Sequence, residues 1–366
     1  MVVFCIHRVG KEIVIMGKTY RVCLVGCGRM GTTIDDEVKD HPHSELWLPY
    51  SHAAGYVAVK ETELVAVSDT VKEKVEATQK RYNVPNGYTD YHEMIEKEKP
   101  DIVSIATRPG PHAEVTVFAA EHGAKGIYCE KPLCSSMEEA DAMLEACEKH
   151  NVKFNYGTQR RYSTLYHKMR ELLKTGEIGD VQCVIAECGA GAAQWTHTHT
   201  SDMIMFLAGD PEIDFVQGTV DASESDWDGD NLYADPGITS GYVKFKNGVH
   251  GYMVAGGNYE FEVVGSKGRT RTLNNGIGAQ LWKSQGQWGI VAEVPFPHLE
   301  INSGTVKCIE DMVDAIDKDR ETLGNIRLAC RSQEMIFGFV ESQRQGGKRV
   351  SLPLMNRKLY VGRKDY

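Results

Sequence analysis

The glycine-rich stretch Tyr20–Gly31, YRVCLVGCGRMG, constrains the fold of this chain more than any other segment. Its apolar start predicts a buried parallel strand, and the strand runs directly into glycines with the spacing GxGxxG. In such a loop Gly26 permits a tight turn, Gly28 lets the backbone approach a pyrophosphate, and Gly31 lets the next helix pack closely on the strand. Because a helix N-terminus attracts anions, the stretch predicts dinucleotide binding. The predicted contacts in this loop are Gly26, Gly28, Arg29, Met30 and Gly31.

The segment that follows alternates between strand-like and helix-like patterns. Strands are predicted at residues 63–69, 102–107, 126–129 and 153–156, with helices at 71–82, 113–122 and 137–150 between them. This alternation predicts right-handed βαβ units in a doubly wound parallel sheet of the Rossmann type, an α/β fold. Ligands bind at the carboxyl ends of such strands. The further cofactor contacts predicted there are Asp69, Thr107, Arg108, His112, Glu130 and Lys131.

Asp69 bears on the choice of coenzyme. It stands at the end of the second predicted strand, where a carboxylate can accept both ribose hydroxyls and would repel a 2′-phosphate. We therefore expect NAD rather than NADP as the cofactor. The alternative is that Asp69 only caps the helix predicted to begin at Val71.

Composition excludes several classes of partner. The formal charge of −10 argues against nucleic acid and anionic membranes, and no apolar run approaches the roughly 20 residues that a membrane helix needs. The ten cysteines are scattered through apolar runs without paired metal-type spacing, which is typical of reduced thiols. We expect a cytoplasmic protein that acts on a small molecule.

Three motifs together resemble the Gfo/Idh/MocA oxidoreductase family, named for glucose-fructose oxidoreductase and inositol dehydrogenase. They are GCGRMG after the first strand, EKPL at residues 130–133, and HTSDMIMFLAGD at residues 199–210. The resemblance runs from about Lys18 to Pro353. It implies an N-terminal Rossmann domain and a C-terminal α/β domain with an open, mostly antiparallel sheet, with sugars, glycosides or cyclic polyols as substrates.

The second half of the chain fits this plan by its own pattern. Strand-like runs follow residue 181, a hairpin turn is predicted at residues 246–248, and helices are predicted at residues 303–317 and 326–345. We predict a dinucleotide-binding domain over residues 17–157 and a substrate-binding and oligomerisation domain over residues 158–366. An open sheet with an uncovered face favours a homo-oligomer, a dimer or tetramer. Residues 1–16 are predicted to be a non-structural extension, with translation starting at Met16.

The resemblance also supplies catalytic candidates. It carries Lys131 over as the lysine of the EKP motif and His199 as the acid/base histidine. Histidine suits removal of a hydroxyl proton near neutral pH, and an ammonium group beside the same oxygen would stabilise the developing alkoxide. Lys131 could instead be a surface lysine, and His199 an ordinary residue at the start of a helix.

One position departs from the family pattern. Where inositol dehydrogenase-like members usually carry an aspartate, four residues before the histidine, this chain has Trp195. The base is therefore left open between His199 and His197, and Trp195 is predicted to stack on a sugar ring. Arg161 is predicted to bind substrate hydroxyls or a carboxylate, or else to be a structural arginine between the domains. A metal site built from His197, His199 and Asp202 is a further alternative, although we expect no metal.

These features predict an NAD-dependent dehydrogenase that oxidises a secondary ring hydroxyl. The acidic loop 221–230 with Trp227 favours a pyranose or glycoside, oxidised at C3, as in a sugar or glycoside 3-dehydrogenase. The alternatives are a reductase of a keto-sugar or imine, a cofactor-retaining glycosidase, and a non-catalytic nucleotide or sugar sensor.

Overall fold

Two large sheets, one of six and one of nine strands, form the framework of this computed structural model, which describes residues 18–364. The extension predicted over residues 1–16, and with it Met16, lies outside the described residues. No helix between residues 18 and 364 has both the length and the apolar character needed to cross a bilayer. The nine cysteines in this range are all free.

The first sheet is parallel, with the order β3-β2-β1-β4-β5-β6. Its strands are β1 (Tyr20–Val25), β2 (Thr62–Ser68), β3 (Asn86–Tyr88), β4 (Ile102–Ile105), β5 (Gly126–Cys129) and β6 (Lys153–Tyr156). The helices are α1 (Ile34–Val38), α2 (His52–Ala58), α3 (Lys72–Tyr82), α4 (Tyr91–Glu98), α5 (His112–Glu121) and α6 (Met137–Lys149). The strand order reverses between β1 and β4, which is where a doubly wound sheet opens its ligand crevice. The predicted Rossmann fold is confirmed.

The second sheet is mixed and mostly antiparallel, with the order β16-β15-β14-β13-β7-β12-β11-β8-β17. Its strands are β7 (Val181–Glu187), β8 (Ile213–Asp221), β11 (Gly237–Phe245), β12 (His250–Val254), β13 (Glu260–Gly265), β14 (Gly268–Leu273), β15 (Gly278–Ser284), β16 (Val291–Val294) and β17 (Val350–Ser351). Only the β7–β12 pair in it is parallel. A small third sheet contains β9 (Trp227–Asp228), β10 (Asn231–Leu232) and β18 (Tyr360–Val361). The predicted class of this second sheet is confirmed.

Four helices accompany the second half of the chain: α7 (Thr164–Lys174), α8 (His197–Ala208), α9 (Gly304–Lys318) and α10 (Ile326–Arg344). The helices α8 and α10 contact the second sheet. Helix α9 instead contacts the first sheet, where Ile309 and Met312 share a buried cluster with Tyr20 and Val22. The division of the chain at residues 157 and 158 stays a prediction, and α9 crosses it in space.

Candidate active site

The glycine loop has the conformation that its spacing predicts. Gly26 has φ = 101°, and a Cβ there would lie 2.6 Å from the carbonyl oxygen of Ala106. A Cβ on Gly31 would overlap the carbonyl oxygen of Gly26, whereas nothing lies within 4 Å of the corresponding position on Gly28. Gly26 and Gly31 therefore have no space for a side chain, whereas the backbone at Gly28 is accessible. This accessibility is what the close approach of a pyrophosphate requires. Of the other loop residues, Met30 is half-buried and Arg29 is exposed and paired with Glu37 at 2.7 Å.

Asp69 ties the end of β2 to this loop. Its Oδ2 accepts a hydrogen bond from the backbone N–H of Cys27 at 2.9 Å, and its Oδ1 accepts one from Val71 at 3.0 Å. The second bond lies in the turn before α3 and does not cap that helix, whose N-cap residue is Val71 and which has no side-chain cap. Each carboxylate oxygen has a further lone pair, so Asp69 keeps acceptor capacity for hydroxyl groups.

The end of β4 lies beside Gly26. The backbone nitrogen of Thr107 is 3.1 Å from the position of a Cβ on Gly26, and the Thr107 hydroxyl donates to the carbonyl oxygen of Arg108 at 3.0 Å. Thr107 is half-buried and Arg108 is exposed. Both residues lie at the carboxyl edge of the first sheet, as predicted.

His112, a predicted cofactor contact, is buried and serves the structure instead. One of its ring nitrogens lies 2.9 Å from the carbonyl oxygen of Pro132, and the other lies 3.3 Å from that of Thr107. Burial lowers the pKa of His112. The ring therefore joins two loops beneath the crevice and has no free nitrogen for a ligand.

Glu130, also predicted to contact the cofactor, points into the interior. Its Oε1 lies 3.0 Å from Nε2 of His52, whose Nδ1 lies 2.7 Å from the hydroxyl of Ser104. The His52 ring stacks on Tyr128 with centroids 4.1 Å apart. A buried carboxylate needs such partners, so Glu130 anchors the segment that carries the next residue, Lys131. No sequence pattern indicated this role for His52.

Lys131 is held against Trp195. Its Nζ donates to the carbonyl oxygen of Trp195 at 3.1 Å and lies 4.1 Å from the centroid of the indole ring. Burial lowers the pKa of Lys131, while the negative charge of Glu130 acts in the opposite direction. Asp235 accepts hydrogen bonds from the backbone of Gln194 and Trp195 at 2.7 and 3.0 Å, and so fixes the indole-bearing turn. One face of Trp195 thus receives an ammonium group rather than a sugar ring.

The two candidate histidines have different surroundings although both lie on α8. Residues two apart on a helix project about 200° from one another. His199 lines a cavity, and its Nδ1 is buried without a hydrogen-bond partner among residues 18–364. Burial lowers the pKa of His199 well below its usual value, and Arg160 and Lys131 lower it further.

His197 is only 1 % exposed and its Nδ1 lies 3.1 Å from the hydroxyl of Thr200. Burial lowers its pKa to about 4. It does not line the cavity, so the structure favours His199 over His197 as the group that can reach a substrate.

Arg161 is buried against two aspartates, which favours the structural role over the predicted role as a substrate ligand. Its side chain is 1 % exposed and donates from Nε and one terminal nitrogen to Asp202, the latter at 2.7 Å. Its other terminal nitrogen donates to Asp210 at 2.9 Å. Asp202, one of the three residues of the alternative metal site, is occupied by its ion pair with Arg161. Within residues 18–364 no group of three or more metal-binding side chains is found.

A cavity of about 430 Å³ adjoins His199 between the two sheets. Such volumes are typical of small-molecule sites. The cavity lining includes residues from the segments 46–50, 275–279 and 296–304. Trp227 is not among its lining residues and packs against the core instead. The polar side chains of the lining include Tyr50, Gln159, Arg160, Tyr166, His199, Asn275, His298 and Glu300.

Arg160 is the lining residue that the sequence analysis passed over. Its guanidinium lies 4.2 Å from the ring centroid of Tyr259 and donates to Oδ1 of Asn275 at 2.7 Å. Arg161, for which substrate binding was predicted, is not among the lining residues, whereas its neighbour Arg160 is.

Known proteins are similar to this chain over much of its length. A myo-inositol 2-dehydrogenase from Thermotoga maritima is 25% identical over 269 residues, which cover 68% of this chain and 74% of that protein. A scyllo-inositol 2-dehydrogenase (NAD(+)) from Bacillus subtilis is 28% identical over 241 residues, 60% of this chain and 69% of that protein. The solved structure of a levoglucosan dehydrogenase with NADH and levoglucosan has the same fold, with a TM-score of 0.71 at 19% identity, covering 92% of this chain and all of that one.

Two family models match the chain. Residues 20–158 match the NAD-binding Rossmann fold of the oxidoreductase family, and residues 170–352 match its C-terminal alpha/beta domain. The match to an NAD-binding family model confirms the predicted cofactor, NAD. The protein is therefore an oxidoreductase that belongs to the Gfo/Idh/MocA family.

Proposed function

We propose that this protein oxidises a secondary ring hydroxyl of a sugar, glycoside or cyclic polyol to a ketone, with NAD as the hydride acceptor. The proposal includes the C3 hydroxyl of a pyranose as the position of oxidation. The observation that carries it is a histidine, His199, that lines the cavity and whose pKa is lowered by burial and by the nearby charges of Arg160 and Lys131. The inositol dehydrogenases among the relatives support this substrate class.

His199 is the proposed general base. A neutral imidazole can accept the proton of a substrate hydroxyl, and a positioned base of this kind contributes roughly 10²–10⁴-fold to rate. The cations Arg160 and Lys131 help to keep the ring neutral. His197 is proposed to support the helix rather than the chemistry, because its ring is enclosed by protein.

Lys131 is the proposed electrostatic catalyst. Its ammonium, held by the indole face and carbonyl oxygen of Trp195, is fixed before substrate binds. A preorganised positive charge stabilises the alkoxide that develops as the hydroxyl proton leaves. Glu130 and His52 hold the backbone that carries this lysine.

The loop Gly26–Gly31 and Asp69 are the proposed binding groups for NAD, with the pyrophosphate at the glycines and the ribose at the carboxylate. NAD, when bound, supplies the acceptor for the hydride that leaves the substrate carbon. Thr107 and Arg108 lie at the same edge and complete the proposed contacts.

The near-ultraviolet absorbance of reduced nicotinamide tests this proposal. The purified protein is mixed with NAD and a panel of hexoses, inositols and glycosides, and the keto product is located by NMR. We expect NAD to be reduced in the presence of at least one class of sugar in the panel. The rate of this reduction should fall at least 100-fold in Lys131→Met and in His199→Gln, which is typical for the loss of a general base or of an electrostatic catalyst.

His197→Gln is the matched control, because it removes a neighbouring imidazole that does not line the cavity. Folding of each variant is checked by circular dichroism. Equal losses in His197→Gln and His199→Gln would contradict the assignment of the base.

We further propose that the protein is a homo-oligomer. Tyr252 and Val254, both on β12, are 37% and 43% exposed, which leaves apolar side chains on the open sheet. Light scattering of the purified protein tests this, and a monomeric mass at micromolar concentration would contradict it.

A further inference from the structure

Arg160 is a half-buried cation on the cavity wall with most of its donors unused. A guanidinium has five N–H donors. Within residues 18–364 this group donates to Asn275, lies close to the hydroxyl of Tyr166, and rests its face on the ring of Tyr259. None of these neighbours carries a negative charge.

The described part of the chain contains no carboxylate within ion-pair distance of Arg160. The titratable groups that surround it most closely are the tyrosines Tyr259, Tyr166 and Tyr50. Glu300 lines the same cavity but is exposed at its rim and forms no ion pair with Arg160. The contrast with the next residue is sharp, since Arg161 is paired with two aspartates.

A second cation lies on the same side of the site. Lys131 contacts an indole ring and a backbone carbonyl rather than a carboxylate. The positive charges of Arg160 and Lys131 both lower the pKa of His199, in addition to the effect of burial. A positive charge that is partly removed from water and has no anionic partner is unfavourable. An anion bound in the cavity would supply that partner, so the cavity is electrostatically complementary to an anion.

We propose that the substrate is a sugar that carries a carboxylate, such as a hexuronate, and that Arg160 binds this carboxylate while His199 and Lys131 act on a ring hydroxyl. The oxidation of the ring hydroxyl in this inference rests on the proposed function, whereas the binding of the carboxylate by Arg160 does not. A planar guanidinium fork matches a carboxylate with two parallel hydrogen bonds. A phosphate dianion carries a second negative charge, and the cavity lining within residues 18–364 offers no second arginine or lysine to balance it.

Isothermal titration calorimetry of the protein saturated with NADH tests the inference without requiring turnover. The probes are glucuronate and galacturonate, the corresponding neutral hexoses, and glucose 6-phosphate. We expect at least one uronate to bind ten times more tightly than its neutral hexose, and Arg160→Gln to reduce that ratio by roughly 10- to 100-fold, the range for a charge-assisted pair. Arg160→Lys keeps the positive charge but loses the planar, two-donor geometry of the guanidinium. Its ratio of uronate to hexose affinity should lie between those of the wild type and Arg160→Gln.

Arg327→Gln is the matched control. This arginine is exposed and pairs with Glu148 on the surface at 2.6 Å, so its loss should leave the uronate preference unchanged. Circular dichroism and NADH affinity show whether each variant is folded and still binds the coenzyme. A loss of NADH affinity in Arg160→Gln that matches the loss of uronate affinity would overturn the inference, because Arg160 would then act on the coenzyme.

The outcomes separate this inference from the proposed function. Equal binding of uronates and neutral hexoses, or preferred binding of the sugar phosphate, overturns the carboxylate site even if NAD is reduced with neutral sugars. Arg160-dependent uronate binding without NAD reduction upholds the site and contradicts the proposed oxidation.

Discussion

Replacement of Arg161 by methionine distinguishes a structural arginine from a substrate ligand. The substitution keeps the length of the side chain and removes the guanidinium. Asp202, whose side chain is 2% exposed, then loses its ionic partner in the interior. Asp210 is 16% exposed and keeps Arg170 at 2.5 Å, so the effect comes mainly from Asp202.

Breaking one side of a buried ion pair costs about 3–5 kcal/mol. At roughly 2–4 °C per kcal/mol for domains of this size, the thermal midpoint should fall by roughly 6–20 °C. Differential scanning calorimetry measures this midpoint. The double variant Arg161→Met/Asp202→Leu should recover much of the loss, because it replaces the pair with apolar groups.

Arg327→Gln serves as the control here as well, since an exposed ion pair contributes about 0–1 kcal/mol. Burial raises the pKa of Asp202, and Arg161 opposes this shift. In Arg161→Met the carboxyl should therefore take up a proton more readily. A variant that unfolds at the wild-type midpoint but no longer binds substrate would refute the structural role.

Three further predictions follow from the crevice. Gly31→Ala should weaken NADH binding at least tenfold in a folded protein, because the new methyl group would displace the carbonyl of Gly26; unchanged affinity in fluorescence titration would contradict this. Asp69→Ser should narrow the preference for NAD over NADP, measured as the ratio of kcat/KM, because the carboxylate that repels a 2′-phosphate is removed. The lowered pKa of His199 keeps it neutral as the pH falls, so the acid limb of kcat/KM should lie below the usual histidine value of about 6.5; a limb at or above that value would show that another group is the base.

The local parts of the fold could be predicted from the sequence. The glycine loop was predictable because each glycine is required by backbone sterics within a few residues of itself. The strands β5 and β6 were predicted with their observed bounds, since short apolar runs bounded by turn residues are typical of buried strands. The prediction omitted the strand β3 and the helices α4 and α7; β3 has only three residues and α4 only eight, which is too few to show a clear period.

The partners of individual side chains could not be predicted, because they depend on contacts distant in the sequence. Arg160 and Arg161 are neighbours, yet one faces the cavity and the other is buried against Asp202, 41 residues away. Glu130 was expected at the cofactor but bonds His52, 78 residues earlier. Helix α9 likewise packs on the first sheet although it follows the second in the chain. The periodicity of a sequence reports local structure and does not show which distant residues come into contact.

Label transfer tests the central claim most directly. A substrate found in the panel is prepared with deuterium at each hydroxyl-bearing ring carbon in turn. After the reaction the coenzyme is recovered and its mass is measured by mass spectrometry. We predict that labelling of one particular ring carbon, the one that is oxidised, yields reduced nicotinamide that carries the deuterium. Reduced coenzyme without deuterium from any labelled ring carbon, or coenzyme recovered unreduced, would contradict the proposed oxidation of a secondary ring hydroxyl.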